Sequence, residues 1–390
     1  MIRDRFSVPS GILRWATPVA MAAALSIVMA SPAAAFGTFR AKTTYRTGVT
    51  PYRLGVADLD GDHHSDILVA NCGQRYVSVL WNKGNGTFKT PATKLAVAGS
   101  GGPGPCPDGV AFGDFNKDGK LDFAVADYGT GQVSVFLNAG NRHFRPHADY
   151  PTVTGPSPIA AADFNHDGTL DLAVASYSDH AVALMLGQAH GTFAGPSATQ
   201  QVGTNPDFIL AGDYNGDHKT DIVTANTGSS ALSLVTGNND GTLNPATSPS
   251  VCANVSGLAS GDFNHDGKVD LAVSCDGAVH GVQVVLGNGA GTFAAPITTP
   301  LPAAAHPQGL AAGDFNRDGK LDLAAACNGS GLVAILKGSG NGHFHTPAAI
   351  YAAGQGPDFV VAAKLNADAG LDLVVDDVLG GGASVLLNKP

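Results

Sequence analysis

Short apolar runs alternate along most of the chain with a polar segment rich in Asp and Asn. In one copy the polar segment reads DFNKDGKLD, residues 114–122. Seven copies start 49 to 56 residues apart, at Asp58, Asp114, Asp163, Asp213, Asp262, Asp314 and Lys364. A repeat of this length is typical of one four-stranded blade of a β-propeller.

The apolar runs around each polar segment have the pattern of strands. In the second copy, DGVAFGDF precedes the segment, LDFAVADY follows it, and QVSVFLN comes after a short turn. Val, Leu, Phe and Ala alternate or run together there without the spacing of an amphipathic helix. Turns such as NKGNGTF, residues 82–88, supply the Gly and Asn that tight hairpins need. We therefore predict four strands per repeat, A to D, with the polar segment as the A–B loop.

The two ends of the chain predict how the ring closes. Residues 36–45, FGTFRAKTTY, have the pattern of a D strand without its own blade, while the chain stops at ASVLLNKP, a C strand without a D partner. Pairing these strands removes exposed sheet edges. The sequence thus predicts an all-β, seven-bladed propeller over residues 36–390, in which the N- and C-terminal strands share the last blade.

Composition supports this fold and argues against nucleic acid as a partner. All 32 acidic residues are Asp, and the chain contains 51 Gly and 23 Pro. Asp favours turns and metal loops, whereas helices use Glu freely, so the composition argues against helices. The net charge of −10 comes without a basic cluster, which gives no reason to expect nucleic acid as a partner.

The first 35 residues have the features of a secretory signal peptide. Three Arg residues accompany an apolar stretch over residues 15–30, and small residues follow up to Ala35. A membrane anchor is the alternative, but the stretch is shorter than the ~20 residues that a span needs, and Pro18 interrupts it. We expect cleavage before Phe36 and a secreted protein, extracellular or periplasmic, without lipid or a membrane span.

Oxygen ligands recur at alternate positions of the six intact polar segments. Asp or Asn occupies positions 1, 3, 5 and 9, and position 7 offers a backbone carbonyl. Ca²⁺ takes roughly six to eight hard oxygen ligands, which suits such a loop better than it suits the small octahedral shell of Mg²⁺. The alternative is a hairpin of Asx turns without metal, although its crowded carboxylates would repel one another.

We therefore expect about six Ca²⁺ ions. The predicted ligands are Asp58, Asp60, Asp62, His64, Asp66, Asp114, Asn116, Asp118, Lys120, Asp122, Asp163, Asn165, Asp167, Thr169, Asp171, Asp213, Asn215, Asp217, Lys219, Asp221, Asp262, Asn264, Asp266, Lys268, Asp270, Asp314, Asn316, Asp318, Lys320 and Asp322. In the seventh segment Lys364 replaces the first acid, and we expect its ammonium to pair with Asp372 in place of a metal; a solvated Lys beside a plain turn is the alternative.

These segments resemble the FG-GAP or VCBS repeats, a family that includes the integrin α-subunit propeller and several exported microbial propellers. The resemblance includes FGDFN at Phe112, GTFAGP at Gly191 and GTFAAP at Gly291, and it covers nearly all of residues 36–390. It implies a propeller that carries calcium in its A–B loops and binds glycans or proteins through the opposite face. The seventh segment departs from the pattern at Lys364 and Ala369, so we expect no metal there.

Five cysteines follow the predicted signal peptide. In the strand scheme Cys72, Cys275 and Cys327 lie in B–C loops, whereas Cys106 and Cys252 lie in D–A loops on the same face. Exported proteins keep disulfides. We favour the pairs Cys72–Cys106 and Cys252–Cys275, with Cys327 left over, although the sequence does not fix the connectivity and buried reduced cysteines are the alternative.

Polar residues in two registers are expected to surround the channel mouth on the face opposite the calcium loops. One register lies six residues before each polar segment, and the other lies five residues after it. Polar groups beside aromatic rings suit a sugar or a peptide; a merely solvated rim is the alternative. The candidates are Tyr52, Asp108, Asp127, Tyr128, Tyr177, Asp207, Asn226, Gln308, Asp358 and Asp377.

Three functions fit this pattern. The one we favour is a calcium-stabilised, monomeric binding or adhesion module that recognises a glycan or protein. A polysaccharide lyase or hydrolase that uses paired Asp residues is the alternative, and a scaffold without a small ligand is the third. The sequence contains no Ser-centred nucleophile elbow, zinc motif or phosphate loop, which argues against an enzyme.

Overall fold

A computed structural model describes residues 38–97 and 106–389 of the chain. The predicted signal peptide, residues 1–35, lies outside the described residues, and the described residues belong to one compact unit. Apart from one 3₁₀ turn at Ala189–Gly191, the regular structure of the described part of the chain is β-strand. No helix in this part of the chain has the length and hydropathy required to cross a membrane.

Seven small antiparallel sheets form the blades, which confirms the predicted seven-bladed propeller. Strand A of each blade contacts strand A of the next, and the last blade returns to the first. The strands, A to D, are Pro51–Ala57, Asp66–Asn71, Tyr76–Leu80 and Thr93–Ala96 in blade 1; Pro107–Gly113, Asp122–Asp127, Gln132–Phe136 and Ala148–Pro151 in blade 2; Pro156–Ala162, Asp171–Ser176, Ala181–Gln188 and Thr192–Gln201 in blade 3; Pro206–Gly212, Asp221–Asn226 and Leu232–Val235 in blade 4; Val255–Gly261, Asp270–Asp276, His280–Val285 and Ile297–Pro300 in blade 5; Pro307–Gly313, Asp322–Cys327, Leu332–Leu336 and Ala349–Ala352 in blade 6; and Val360–Ala363, Asp372–Asp377 and Gly382–Leu386 in blade 7.

Blade 7 takes its fourth strand from the N-terminal region, as the ends of the sequence predict. Thr43–Arg46 pairs antiparallel with Gly382–Leu386, in a register that places Thr43 opposite Val385. Beside this strand, Thr38–Phe39 pairs with Asn388–Lys389. The last blade is therefore built from both ends of the described chain.

The hydrophobic core is divided among the seven interfaces between neighbouring blades. Strand B is buried along its whole length in every blade, apart from the last residue of strand B in blade 5. Between blades 1 and 2, for example, Leu68 and Val79 pack in one cluster with Phe123 and Phe136. Each blade is too thin to bury its side chains alone, so the ring is stabilised by contacts between neighbours.

The buried residue at loop position 2, which is Phe or Tyr in the second to sixth loops, anchors the A–B loop to the core. Phe115 is buried beneath its loop and packs edge-to-face against Phe193 of the next blade, with ring centroids 5.4 Å apart. Phe263 meets Phe344 in the same way at 6.0 Å. In both cases a Phe from the outer part of one blade packs against the A–B loop of the preceding blade, which fixes that loop at the blade edge.

Candidate functional site

The six intact polar segments share one backbone conformation. Positions 4 and 6 both have positive φ, for example Lys117 at 58° and Gly119 at 80°. In the first and fourth segments the order of residue types is reversed, with Gly at position 4 and His at position 6. Two left-handed residues so close together bend the chain around its own side chains.

The side-chain oxygens of these loops are directed inward. In the second loop, Asp114 accepts the N–H groups of Asp118 and Gly119 at 3.0 and 2.8 Å. Asn116 accepts the Asp118 N–H at 2.9 Å, and Asp118 accepts the Lys120 N–H at 3.0 Å. The fifth loop repeats this network around Asp262. In the first loop, one oxygen each from Asp58, Asp60 and Asp66 lies within 4.8 Å of the others.

The Asp at position 9 is buried and joins two loops of its blade. Asp122 accepts the N–H of Phe115 at 3.0 Å and the N–H of Asn138, at the start of the C–D turn, at 2.7 Å. Burial, opposed by these hydrogen bonds, raises the pKa of Asp122 to about 6, and Asp118 and Asp114 contribute to the rise. The pKa of Asp66 rises to about 7, chiefly because of burial. A cation at the loop centre would favour the charged form of these groups.

Basic side chains neutralise part of the loop charge. Arg142 of blade 2 forms ion pairs with Asp60 and Asp62 of blade 1. Lys120 lies 3.1 Å from Asp118, and Lys337 lies 3.0 Å from Asp318. These contacts reduce the repulsion expected between the carboxylates of a metal-free loop, although most of them are at the surface.

The seventh loop has a different conformation. Neither Ala367 nor Ala369, at positions 4 and 6, has positive φ. Lys364 is exposed and makes no ion pair with Asp372, whose oxygens instead accept the N–H groups of Leu365 and Asn388. The expected Lys–Asp pair is therefore wrong, because the closing carboxylate is already held by the backbone.

The donor set fits calcium in the six intact loops. Each loop offers Asp and Asn oxygens at positions 1, 3, 5 and 9 and a backbone carbonyl at position 7, which is a set of hard oxygen ligands. These residues would hold the ion between the A–B loop and its blade. The carbonyls in question belong to His64, Lys120, Thr169, Lys219, Lys268 and Lys320.

The opposite end of the central channel is narrowed by three large side chains. They occupy the register five residues before the polar segment, where blades 1, 4 and 7 carry Arg53, Phe208 and Phe359. The two Phe rings are stacked with centroids 5.9 Å apart, and the Arg53 guanidinium lies 4.2 Å from the Phe208 centroid. Below them is a largely apolar cavity of about 320 Å³.

Blades 2, 5 and 6 carry Gly in this register because strand A of the next blade approaches closely. A Cβ on Gly109 would lie 2.0 Å from the Ser157 carbonyl oxygen, and one on Gly257 would lie 2.2 Å from that of Gln308. The channel is thus filled from three blades and left without side chains in three others.

Arg53 is buried and held by carboxylates from two other blades. Its Nε lies 3.3 Å from Asp108, and its Nη2 lies 3.0 Å from Asp207. Although burial works against the charged form, Asp207 and Asp108 raise the pKa of the Arg53 guanidinium above its usual value. The Asp108 carboxylate also accepts the Ser157 hydroxyl at 2.7 Å.

Two of the predicted ligand-face residues are therefore part of the interior. Asp108 and Asp207 belong to the expected register, but both are buried against Arg53 and do not form an open polar rim. Tyr52, Gln308 and Asp358, in the same register, are partly exposed. Sequence reasoning missed Arg53, although the residue departs from the Gly, Pro or Phe that the other blades carry at this position.

The second predicted register does not face the channel mouth. Asp127, Asn226 and Asp377 are buried and hold the B–C turns and adjacent loops. Asp127 accepts the N–H groups of Cys106 and Gly129 at 2.9 and 3.0 Å. The assignment of these three residues to the ligand face was wrong, because the last residue of strand B turns inward and forms hydrogen bonds with backbone groups of nearby turns and loops.

Asp376 is a second buried carboxylate that the sequence analysis did not single out. It accepts the N–H groups of Asp358 and Phe359 at 2.7 and 2.8 Å, where strand A of blade 7 begins late. Burial, with a contribution from Asp358, raises the pKa of Asp376 well above its usual range. The equivalent position is Ala or Ser in the other six blades, and this departure from the repeat is the signal that identifies it.

Tyr128 and Tyr177 lie together on the face opposite the A–B loops. They follow strand B in blades 2 and 3, and their rings meet edge-to-face with centroids 6.3 Å apart. Both side chains are partly exposed, and the Tyr128 hydroxyl lies 3.5 Å from that of Ser178. Here the structure does bring two predicted candidates into one surface patch.

Disulfides join Cys72 to Cys106 and Cys252 to Cys275 in the structure, in the pairing that the sequence favoured. Each links strand B, or the turn that follows it, to the loop that enters strand A. Cys327 is free and buried, and burial raises the pKa of its thiol to about 11. The thiol is therefore protonated at neutral pH.

Fold and loops together define a seven-bladed β-propeller with repeated Asp-rich A–B loops. The chain belongs to the family of FG-GAP-like repeats, whose model matches residues 58–125, 114–174, 163–224, 213–273, 262–325 and 314–375. No curated protein matches the chain.

Solved structures share the architecture at low sequence identity. BBS1N, in complex with ARL6DN, is 15% identical with a TM-score of 0.59, over 88% of this chain and 94% of that chain. An Agrocybe aegerita lectin specific for non-reducing terminal N-acetylglucosamine is 18% identical with a TM-score of 0.54, over 88% and 86%. Virginiamycin B lyase from Staphylococcus aureus is 13% identical with a TM-score of 0.58, over 90% and 99%. These likenesses show the fold alone.

Proposed function

We propose that this protein is a secreted, calcium-stabilised binding module that recognises a glycan or protein through the face opposite its calcium loops. The observation that carries the proposal is the separation of two chemistries. Hard oxygen donors lie in six loops at one face, whereas the Tyr128–Tyr177 pair lies among the B–C turns at the other. Aromatic rings beside hydroxyl groups suit sugars and peptide side chains.

The environment of the carboxylates favours binding over acid–base catalysis on this face. Asp108 and Asp207 are engaged by Arg53, and Asp127 and Asp377 accept backbone N–H groups. A glycosidase needs two carboxyl groups that both reach the substrate. Propellers of similar architecture include a lectin and a protein in complex with a partner, which supports binding as a use of this fold.

A glycan array and a pull-down from the surface of the source cells, both in millimolar calcium, test the proposal. We expect capture of at least one ligand, and we expect Tyr128→Ala with Tyr177→Ala to weaken it at least tenfold. His190→Ala, an exposed change in a C–D turn at the calcium face, is the matched control and should bind as the parent does. No capture in either assay contradicts the binding role, and capture that the Tyr variants do not alter contradicts the assigned surface.

Export rests on the N-terminal sequence and needs its own measurement. We propose that residues 1–35 are removed before Phe36 and that the mature protein lies outside the cytoplasm. Mass spectrometry of the protein recovered outside the cytoplasm should find Phe36 as the first residue. An extracellular form that retains the apolar stretch would contradict cleavage.

A further inference from the structure

Two histidines and one aspartate meet at the boundary between blades 5 and 6, on the face opposite the calcium loops. Asp276 ends strand B of blade 5, His280 begins strand C, and His306 immediately precedes strand A of blade 6. One donor atom from each residue lies within 4.8 Å of the others. No residue of the calcium loops takes part in this group.

The backbone around the group is well anchored. The carbonyl of His280 accepts the Leu301 N–H at 3.0 Å, and the carbonyl of His306 accepts the Asn328 N–H at 3.1 Å. Cys275, next to Asp276, is tied by its disulfide to Cys252. The three side chains are therefore presented by strand ends and not by a long loop.

Two neighbours shape the space around the imidazoles and the carboxylate. A Cβ on Gly329 would lie 2.3 Å from Cδ2 of His306, so glycine makes room for this ring. Gln308 donates its side-chain N–H to the second oxygen of Asp276 at 3.3 Å. The backbone of His306 has a φ of 45°, a left-handed conformation that residues other than Gly rarely adopt.

The hydrogen bonds of the group are incomplete. Nδ1 of His306 lies 2.8 Å from Oδ1 of Asp276, whereas Nδ1 of His280 lies 3.5 Å from the same oxygen. Nδ1 of His280 is a buried atom that makes no hydrogen bond with any residue the structure describes. Nδ1 of His306 is directed at the Asp276 carboxylate, and Nδ1 of His280 has no hydrogen bond. Two imidazole nitrogens beside one carboxylate have the chemistry of metal ligands.

We propose that Asp276, His280 and His306 bind a divalent transition-metal ion, with Zn²⁺ as the best fit. Two imidazoles, which are borderline ligands, together with one carboxylate suit Zn²⁺, whereas Ca²⁺ prefers oxygen ligands alone. Ligand atoms of a tetrahedral zinc site lie about 3.4 Å apart, so the observed separations require small side-chain rotations. Three protein ligands leave the fourth position for water or for a donor group of a bound ligand.

Zinc binding in excess calcium separates this site from the A–B loops. With about 5 mM CaCl₂ present to occupy the oxygen sites, titration calorimetry should detect one equivalent of Zn²⁺. His280→Ala and His306→Ala should each weaken it by at least about 100-fold, because loss of a direct ligand should cost no less than loss of an outer-shell partner, which costs about 10–100-fold. His147→Ala is the matched control, because His147 also pairs with an Asp, at 2.8 Å, but without a second histidine.

Cobalt substitution gives a readout that general surface binding does not. Co²⁺ in the parent protein should show the intense visible absorption of tetrahedral coordination, and either histidine variant should lose it. If a histidine variant fails to fold, Asp276→Asn serves as the second test, since it keeps the side-chain shape. Equal zinc affinity in parent and variants, or a weak octahedral cobalt spectrum in the parent, would overturn the proposal.

Discussion

Arg53 organises the channel mouth, and its energetic role depends on its burial. Its guanidinium is buried between Asp108 and Asp207 and lies over the Phe208 ring. Taking three charges out of water is costly, and the geometry of the ion pairs offsets that cost only while all partners are present. The cluster joins blades 1, 2 and 4 across the channel, so it couples blade 4 to two blades with which it shares no interface.

We predict that Arg53→Met destabilises the protein by about 3–5 kcal/mol, because it leaves two buried carboxylates without their cation. Urea unfolding measures the change in the free energy of unfolding. Arg145→Met, at an exposed site, is the control and should stay within about 0.5 kcal/mol of the parent. Adding Asp207→Asn to Arg53→Met should recover part of the loss; no recovery would contradict the electrostatic explanation.

A second prediction compares the same loop position in two blades. Asp118 and Asp368 both occupy position 5, and each accepts the N–H of the residue two positions later, at 3.0 Å. Alanine at either position removes that hydrogen bond, but only the loop of Asp118 has the double left-handed conformation and the first acid.

Asp118→Ala should therefore lower the calcium-dependent part of the free energy of unfolding by about 1–2 kcal/mol. This is the contribution of one site when the free Ca²⁺ concentration is about ten times its dissociation constant. Asp368→Ala should leave that part unchanged. Thermal unfolding with calcium and with chelator gives both values. An equal calcium-dependent loss in the two variants would show that the seventh loop binds the ion as well.

Which residues form the channel mouth was only partly predictable from the sequence. The period placed Asp108 and Asp207 at the correct end of strand A, but their partner Arg53 lies 55 and 154 residues away. A repeat shows which positions are equivalent, not which side chains meet across the ring. Departures from the repeat, such as Arg53 and Asp376, are a better guide to such contacts than the shared residues.

The N-terminal strand closes the ring and replaces an edge that would otherwise be open. Its Tyr45 is buried, packs edge-to-face on Phe88 of blade 1 at 5.2 Å, and its hydroxyl accepts the Phe88 N–H at 3.3 Å. Without Thr43–Arg46, the strand Gly382–Leu386 would present unpaired backbone groups, which promote association between chains.

We predict that Tyr45→Ala destabilises the protein by about 3–5 kcal/mol, as for other large aromatic truncations in a core. Thr43→Ala, at an exposed site in the same strand, should cost only a few tenths of a kcal/mol. Equilibrium unfolding measures both, and size-exclusion chromatography shows whether the weakened closure leads to association. A Tyr45 variant as stable as the parent would mean that closure contributes little.

Element boundaries followed from the sequence where turn chemistry and pattern agree. Strands A and B flank an Asp-rich loop in all seven blades, so hydrophobic pattern and loop chemistry identify the same limits. Blade 4 departs, because its outer segment joins strand C through isolated bridges such as Leu234 with Thr247. Pro245 and Pro249 lie in that segment, and proline cannot donate to a strand ladder.

At the scale of the whole molecule, charge links the six loops. The chain has a net charge of −10, and its first 35 residues carry three Arg and one Asp, so residues 36–390 carry −12. Six Ca²⁺ ions would bring this net charge close to zero. The calcium-free protein is a self-repelling anion, since Lys and Arg neutralise only part of the loop charge.

The last prediction is that calcium stabilises the fold and takes no part in ligand chemistry. When the free Ca²⁺ concentration is about ten times the dissociation constant, each site adds about 1.4 kcal/mol to the free energy of unfolding. Chelation should therefore remove about 8 kcal/mol over six sites. Thermal unfolding with EDTA should therefore show a large loss of stability. Mg²⁺ should restore this stability poorly. Added NaCl should restore only part of it, because salt screens the repulsion between carboxylates without occupying the loops. Ligand binding should disappear only as the protein unfolds, since the loops lie at the far ends of strands A and B from the Tyr128–Tyr177 patch. If EDTA abolished binding while the melting temperature stayed constant, the ions would be part of the binding site and not supports of the fold.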